Sequence, residues 1–321
     1  MQGKGGKKEC RAITASTHKR SGEKQQDMYR ITKGSSSSGF EKGGVEMISI
    51  KYNSFFNKEG FLLDDAYDPY KKYRYIGYFK EHQTEYIRCQ DADLRNLLCF
   101  KGIRYLTIPV EAENYQDLEN LSSLIGIELC GTQISMIPLS VKRNLQSVII
   151  HCSNDSMDFA DFINLHELKM DGFPGFKNPN CQFLRGLKLK KLSLSSRNLK
   201  SLEGIESQSE LEELELSYCS NLADISHISS LNNLKSVVLS ANNKLINNKL
   251  KTTSLNCLPV YVEHLSVLGT ESSAERSRFT SLSFLQRLTN LNEFETNWKV
   301  DPILLEQESY GKARIVVYRP D

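Results

Sequence analysis

Apolar residues recur along the chain in trios of the form Leu-x-x-Leu-x-Leu. The clearest are Leu189, Leu192 and Leu194, then Leu211, Leu214 and Leu216, then Leu234, Val237 and Leu239. Looser copies occur at Ile103/Leu106/Ile108, Leu124/Ile127/Leu129, Leu145/Val148/Ile150, Leu165/Leu168/Met170, Val262/Leu265/Val267 and Leu291/Phe294/Thr296. The central residues of the nine units fall at 106, 127, 148, 168, 192, 214, 237, 265 and 294, so the spacing is 20 to 24 residues at first and 28 and 29 at the end. The last two positions of each trio flank one residue that must point the other way, the alternation of a short strand with one buried face. One such strand cannot bury that face alone, but stacking one per unit builds a parallel sheet over a continuous core. Proline cannot donate to a sheet ladder, and none of the eight prolines falls inside a trio.

Between trios the chain must return to the next strand, and further apolar anchors mark that path at Ile134 and Ile137, Leu199 and Leu202, and Leu222 and Ile225. The stretch from about 98 to 300 thus resembles a leucine-rich repeat protein. The run LEELELSYCSNLADISHISSLNNLKSVVLSAN, from Leu211 to Asn242, is similar to the short repeats of bacterial internalins and of phosphatase-regulating relatives. The resemblance implies an α/β-type solenoid: a horseshoe with a parallel concave sheet and about nine irregular repeats. The family pattern places Asn or Cys three residues after the last strand leucine, where its side chain bonds turn backbone that lacks other partners. Asn242 and Cys219 fit, and Thr132, Ser153 and Thr270 could substitute. Glu111, Phe173, Arg197 and Lys299 depart from the pattern, so the outer units are irregular.

A solenoid needs a cap on each open end. Residues 47–98 are rich in aromatics, with Tyr67, Tyr70, Tyr73, Tyr75 and Tyr78 among them, and read as a β-rich N-terminal cap. MISIKYN (47–53) alternates like a strand, while YRYIGYF (73–79) and TEYIRC (84–89) read as two strands joined through Lys80 to Gln83. The repeats are expected over 99–300 and a C-terminal cap over 301–321, with ARIVVYRP (313–320) as its closing strand.

The net charge of +2 hides an asymmetry: residues 1–46 carry ten Lys or Arg against five Asp or Glu, the rest 31 against 34. That basic tail, with GKGGKK and KGSSSSGFEKGG, has little to bury and reads as disordered. A second reading makes Met47 the native start, because Lys42 to Glu46 is what a purine-rich ribosome-binding sequence would encode in frame, given a bacterial source. The N-terminus lacks the apolar core of a secretory signal, so a cytoplasmic location is expected. Eight cysteines without paired spacing fit a reducing compartment and no zinc site.

Catalytic motifs are lacking. Gly3, Gly5 and Gly6 follow no strand and open no helix, and the six histidines (18, 82, 151, 166, 227, 264) form no i, i+4 pair, so neither a phosphate loop, a metal nor a cofactor is expected. The sheet's outward positions offer the alternative. They include Tyr105, Glu128, Ile149, His151, Glu167, Lys169, Asp171, Lys191, Glu213, Glu215, Val238, His264, Leu268, Glu293 and Glu295, with Tyr218 and Trp298 nearby and Asn297 continuing the last strand. Seven of these are acidic and two are lysines, so the expected partner is a protein with a basic surface. Nine strands about 4.8 Å apart would present roughly 40 Å, enough for a specific interface. A non-catalytic, monomeric interaction module is the primary reading. An immunity or antitoxin protein that covers a toxin is the narrower one. Nucleic-acid or anionic-membrane binding through the basic tail is the alternative of a different class.

Overall fold

The computed structural model of the chain describes residues 28–29, 48–63, 69–151, 158–172, 180–242, 252–270, 278–279, 281–307 and 312–318. Most of the basic tail, Met47, Tyr67, Ser153 and Phe173 lie outside them.

The strands are β1 (Met28–Tyr29), β2 (Ile48–Asn53), β3 (Lys58–Leu63), β4 (Tyr86–Cys89), β5 (Tyr105–Thr107), β6 (Gly126–Cys130), β7 (Ser147–His151) and β8 (Glu167–Asp171). They continue with β9 (Lys191–Ser195), β10 (Glu213–Ser217), β11 (Ser236–Ser240), β12 (His264–Leu268), β13 (Arg278–Phe279), β14 (Glu293–Thr296), β15 (Lys299–Val300) and β16 (Arg314–Val317). Fourteen form one sheet in chain order, with β13 and β15 paired separately. β2 and β3 make an antiparallel hairpin, and from β3 onward every neighbour in the large sheet is parallel. This is a leucine-rich repeat solenoid. The central residue of each of the nine trios lies on a strand, with β4 before and β16 after them.

The strands are in register. Ile87, Leu106, Ile127, Val148, Leu168, Leu192, Leu214, Val237, Leu265, Phe294 and Ile315 stand side by side across eleven strands. The sheet hydrogen bonding extends one residue before each strand, where a single carbonyl accepts two amides: Lys190 O takes the N–H groups of Glu212 (2.8 Å) and Glu213 (2.9 Å), and Glu212 O those of Lys235 and Ser236. The return path runs through turns and short helical segments, mostly 3-10, and apolar residues along it close the core, including Ile134, Ile137, Leu202, Leu222 and Ile225.

Turn backbone buried between repeats finds side-chain partners. Asn242, fully buried, accepts from Cys219 N (2.8 Å) and donates to Leu216 O (2.8 Å). Gln208, equally buried, does the same on the return side, accepting from Leu189 N and donating to Leu184 O. Asn297 does not continue the outward row as expected. It bonds both the N–H and C=O of Gly269, 28 residues earlier, a task the family pattern would assign two positions later, to Lys299.

The segment 73–79 is not a strand. Residues 69–81 form helix α1 (Pro69–Glu81). Its buried positions, Tyr75, Tyr78 and Phe79, follow the i, i+3, i+4 rule of a helix face, while Tyr73 is 76% exposed. That face covers the first core layer: Phe61 stacks on Tyr75 at 5.4 Å and meets Tyr78 edge-on, and Phe79 meets Phe100. The hairpin foreseen in this region is instead β2 with β3, and β4 follows α1 in parallel. At the far end β16 adds to β14, as expected of 313–320.

Leu214 is 1% exposed between Leu192 and Val237. Leu214→Ala should lose about 2–5 kcal/mol in urea unfolding from lost burial and a residual cavity. Glu215→Ala, on the opposite face, should lose only about 0.5 kcal/mol. Equal effects would mean that the register is wrong.

Candidate functional site on the concave face

Between the buried columns, outward side chains form three rows across the sheet. The first runs Tyr86, Tyr105, Gly126, Ser147, Glu167, Lys191, Glu213, Ser236, His264, Glu293, Arg314. The second runs Arg88, Thr107, Glu128, Ile149, Lys169, Ser193, Glu215, Val238, Ser266, Glu295, Val316. The third includes His151, Asp171, Ser195, Ser217, Ser240 and Leu268. Fifteen of the seventeen expected site residues lie in these rows. They do not form one open surface.

The turn between β2 and β3 folds over the N-terminal part of this face. Asn53 Oδ1 accepts from Phe55 N and Phe56 N, both at 3.1 Å, and Asn57 takes a left-handed φ of 52°, so the tip is a tight Asx-type turn. Phe55 and Phe56 pack on Tyr86, Tyr105 and Ile149 as a second apolar cluster, apart from the main core. Phe56 lies 5.0 Å from the Tyr105 ring and 6.2 Å from that of Tyr86. Two glycines make the room: a Cβ on Gly60 would fall 2.0 Å from Tyr86 O, and one on Gly126 would fall 2.3 Å from the Tyr105 ring. Lys58 and Arg104 flank Tyr105, both paired with Glu85. The tip reaches as far as β9, where Lys191 Nζ sits 4.8 Å above the Phe55 ring.

Ile149, expected as an exposed contact, is therefore 3% exposed beneath the tip. Two more expected contacts are buried. Trp298 is 1% exposed in the C-terminal core, 4.9 Å from Phe279, because the chain turns inward after β14. Leu268 holds its place in the third row but is 6% exposed. Tyr218 is 60% exposed in the turn after β10, with φ at 55°.

Beneath the tip lies a polar network that the sequence did not signal. Asn53 Nδ2 and Thr107 Oγ1 each donate to Glu128 Oε2 at 2.7 Å, which leaves the Thr107 hydroxyl to accept from Tyr86 at 2.9 Å. His151 meets carboxylate oxygens at both ring nitrogens: Nε2 at 2.8 Å from Glu128 and Nδ1 at 3.3 Å from Asp171, which also has Lys169 at 3.9 Å. The bonds to Asp171 and Glu128, partly opposed by burial, raise the His151 pKa to about 9. Burial works against the charge of Glu128, but His151 and Thr107 outweigh it and keep its pKa below the ordinary value. An imidazolium with both N–H groups engaged has no lone pair to take a proton, so His151 is built as a structural cation rather than a general base. The thiols of Cys89, Cys219 and Cys257 are no better nucleophiles, since burial pushes the first up to about 12 and the other two up to about 11.

From β10 onward the rows lie beyond the tip. Glu213 faces Lys191 at 3.6 Å, and Glu293 faces Arg314 at 3.7 Å. Glu215 accepts from Ser193 (3.1 Å) and Ser217 (3.0 Å). Glu295 accepts from the Tyr318 hydroxyl at 2.8 Å, and the His264 ring lies between Glu293 (3.6 Å) and Glu295 (3.7 Å). A shallow depression of about 280 Å³ at the strand entrances includes Tyr105, Glu167 and Lys190. No group of metal-ligating side chains occurs among the described residues.

No family model matches the chain, and no curated protein does. Among solved structures it is similar to a chain of the mouse RP105/MD-1 complex, at 18% identity and a TM-score of 0.48 over 73% of this chain and 42% of that one. It is also similar to the internalin InlF of Listeria monocytogenes, at 14% identity and a TM-score of 0.42 over 74% of this chain and 76% of the other. A third is the leucine-rich repeat protein LegL7 of Legionella pneumophila, at 12% identity and a TM-score of 0.45 over 71% and 87%.

Two outcomes test this site. His151 should titrate near 9 by NMR of its ring protons, and Glu128→Gln should move it toward the ordinary 6.5. Because the folded pKa is the higher, the stability that His151 contributes is complete below 6.5 and is lost as pH rises through about 9. Phe56→Ala should cost about 3 kcal/mol in urea unfolding; a loss below about 0.5 kcal/mol would mean the tip is merely a surface loop.

Proposed function

We infer that the protein is a non-catalytic protein-interaction module that contacts a partner with a basic surface through the concave face from β10 to β16. The observation that carries this reading is the division of the face. Where the tip covers it, the His151 ring pairs with both Glu128 and Asp171. Beyond the tip, Glu213, Glu215, Glu293 and Glu295 stand on outward positions of a rigid sheet, with Val238 between them. Rigid display of several carboxylates suits recognition of Lys- or Arg-bearing protein, because preorganised groups lose little entropy on binding. The absence of an activated base or thiol among the residues described above weighs against catalysis.

The test is affinity capture with the wild-type protein and with Glu213→Lys/Glu215→Lys. The double variant should retain its melting temperature and bind the captured partner at least about tenfold more weakly, as expected for reversed charges at an interface. An unchanged affinity would remove this face as the site. Reversal at Lys169, on β8 outside the open end, should leave affinity unchanged.

A further inference from the structure

The open end is small. Five strands (β10, β11, β12, β14, β16) about 4.8 Å apart span roughly 20 Å, and five residues of strand add about 16 Å in the other direction. The resulting area of roughly 300 Å² is well short of the ~800 Å² that each partner contributes to a standard interface between folded proteins. It does match an extended polypeptide of about six residues lying across the strands.

Charge compensation on this patch is uneven. In the first row Glu213 and Glu293 already face Lys191 and Arg314. In the second row Glu215 is bonded by two serine hydroxyls, and Glu295 by the Tyr318 hydroxyl with the His264 ring near it. Among the described residues neither carboxylate has a Lys or Arg partner. They are three strand steps apart, with Val238 half-buried on the floor between them and Ser266 buried beside it. Three steps make about 14 Å, and side chains four residues apart on one side of an extended chain are separated by about 13 Å.

We propose that the open end of the concave face binds an extended peptide segment carrying two basic side chains four residues apart, one at Glu215 and one at Glu295, with a small or apolar side chain between them over Val238. This rests on the functional reading above and narrows the partner from a basic surface to a basic segment of defined spacing. Such a segment crosses the strands instead of joining them, so recognition depends on side chains and not on a backbone ladder.

The experiment compares two synthetic peptides of about eight residues with identical composition, one with lysines four residues apart and the other with lysines three apart, which point to opposite sides. Binding to the isotopically labelled full chain is followed by NMR shift changes. The four-spaced peptide should bind roughly tenfold tighter and perturb Val238. Glu215→Gln and Glu295→Gln, each with an unchanged melting temperature, should bring it down to the level of the three-spaced peptide. Equal binding of the two peptides, lost on reversing the glutamates, would overturn the segment proposal and leave the acidic-face reading standing. If neither peptide binds, the segment proposal also fails, while the capture experiment with Glu213→Lys/Glu215→Lys still decides the broader reading. Peptide binding that ignores all four glutamates would overturn both.

Discussion

In-register burial of one column of side chains, from Ile87 through Leu214 to Ile315, is the constraint on which the rest of the molecule depends. Side chains alternate along a strand, so a slip of one residue at any step would turn that unit's apolar pair to water and its polar residues into the core. Each strand contacts only its neighbours, yet the register passes from one to the next and fixes every outward residue. Asn242, Gln208 and Asn297 belong to the same constraint. They satisfy turn backbone that stacking has removed from water and thereby tie the turns of one repeat to the next.

Upon that frame the N-terminal hairpin divides a uniform-looking face into two parts with different physics. Under Phe55 and Phe56, the outward residues of β4 to β7 behave as a second small core, with Gly60 and Gly126 leaving space that any side chain would fill. The charges there are resolved internally, since His151 lies between Glu128 and Asp171 and Asn53 ties the tip to Glu128. Beyond Lys191 no aromatic pair among the described residues covers the sheet, and Glu215 and Glu295 are bonded by hydroxyls in place of Lys or Arg. A hydroxyl can satisfy a carboxylate's hydrogen-bonding capacity without neutralising its charge, which leaves attraction for a cation from outside.

The helix α1 and the tip share one cause. A solenoid's first unit has no preceding neighbour, and the aromatic-rich stretch before the repeats covers two exposed surfaces at once. Tyr75, Tyr78 and Phe79 close the end of the main core, and Phe55 and Phe56 close the sheet's outer face. The abundance of aromatics before residue 100 is thus a consequence of capping, since flat rings bury much area at little entropic cost.

The sequence by itself determined the solenoid, its nine strand positions and their register, because period and alternation are local properties that leucine spacing writes directly. It also marked Asn242 and Cys219 as turn residues. It misjudged residues 73–79, where a run of tyrosines satisfies both a period of 2 and a helical face, and only packing against Phe61 and Phe100 selects the helix. The outward positions were legible too, but not their fates. Whether Ile149 is a contact or a core residue depends on Phe55 and Phe56, more than 90 residues earlier in the chain. Whether Trp298 faces the partner or Phe279 depends on how the chain turns after β14. Alternation assigns a side chain to a face; only the tertiary structure decides what else comes to rest on that face, because the segment that covers it shares neither the repeat's period nor its neighbourhood in sequence.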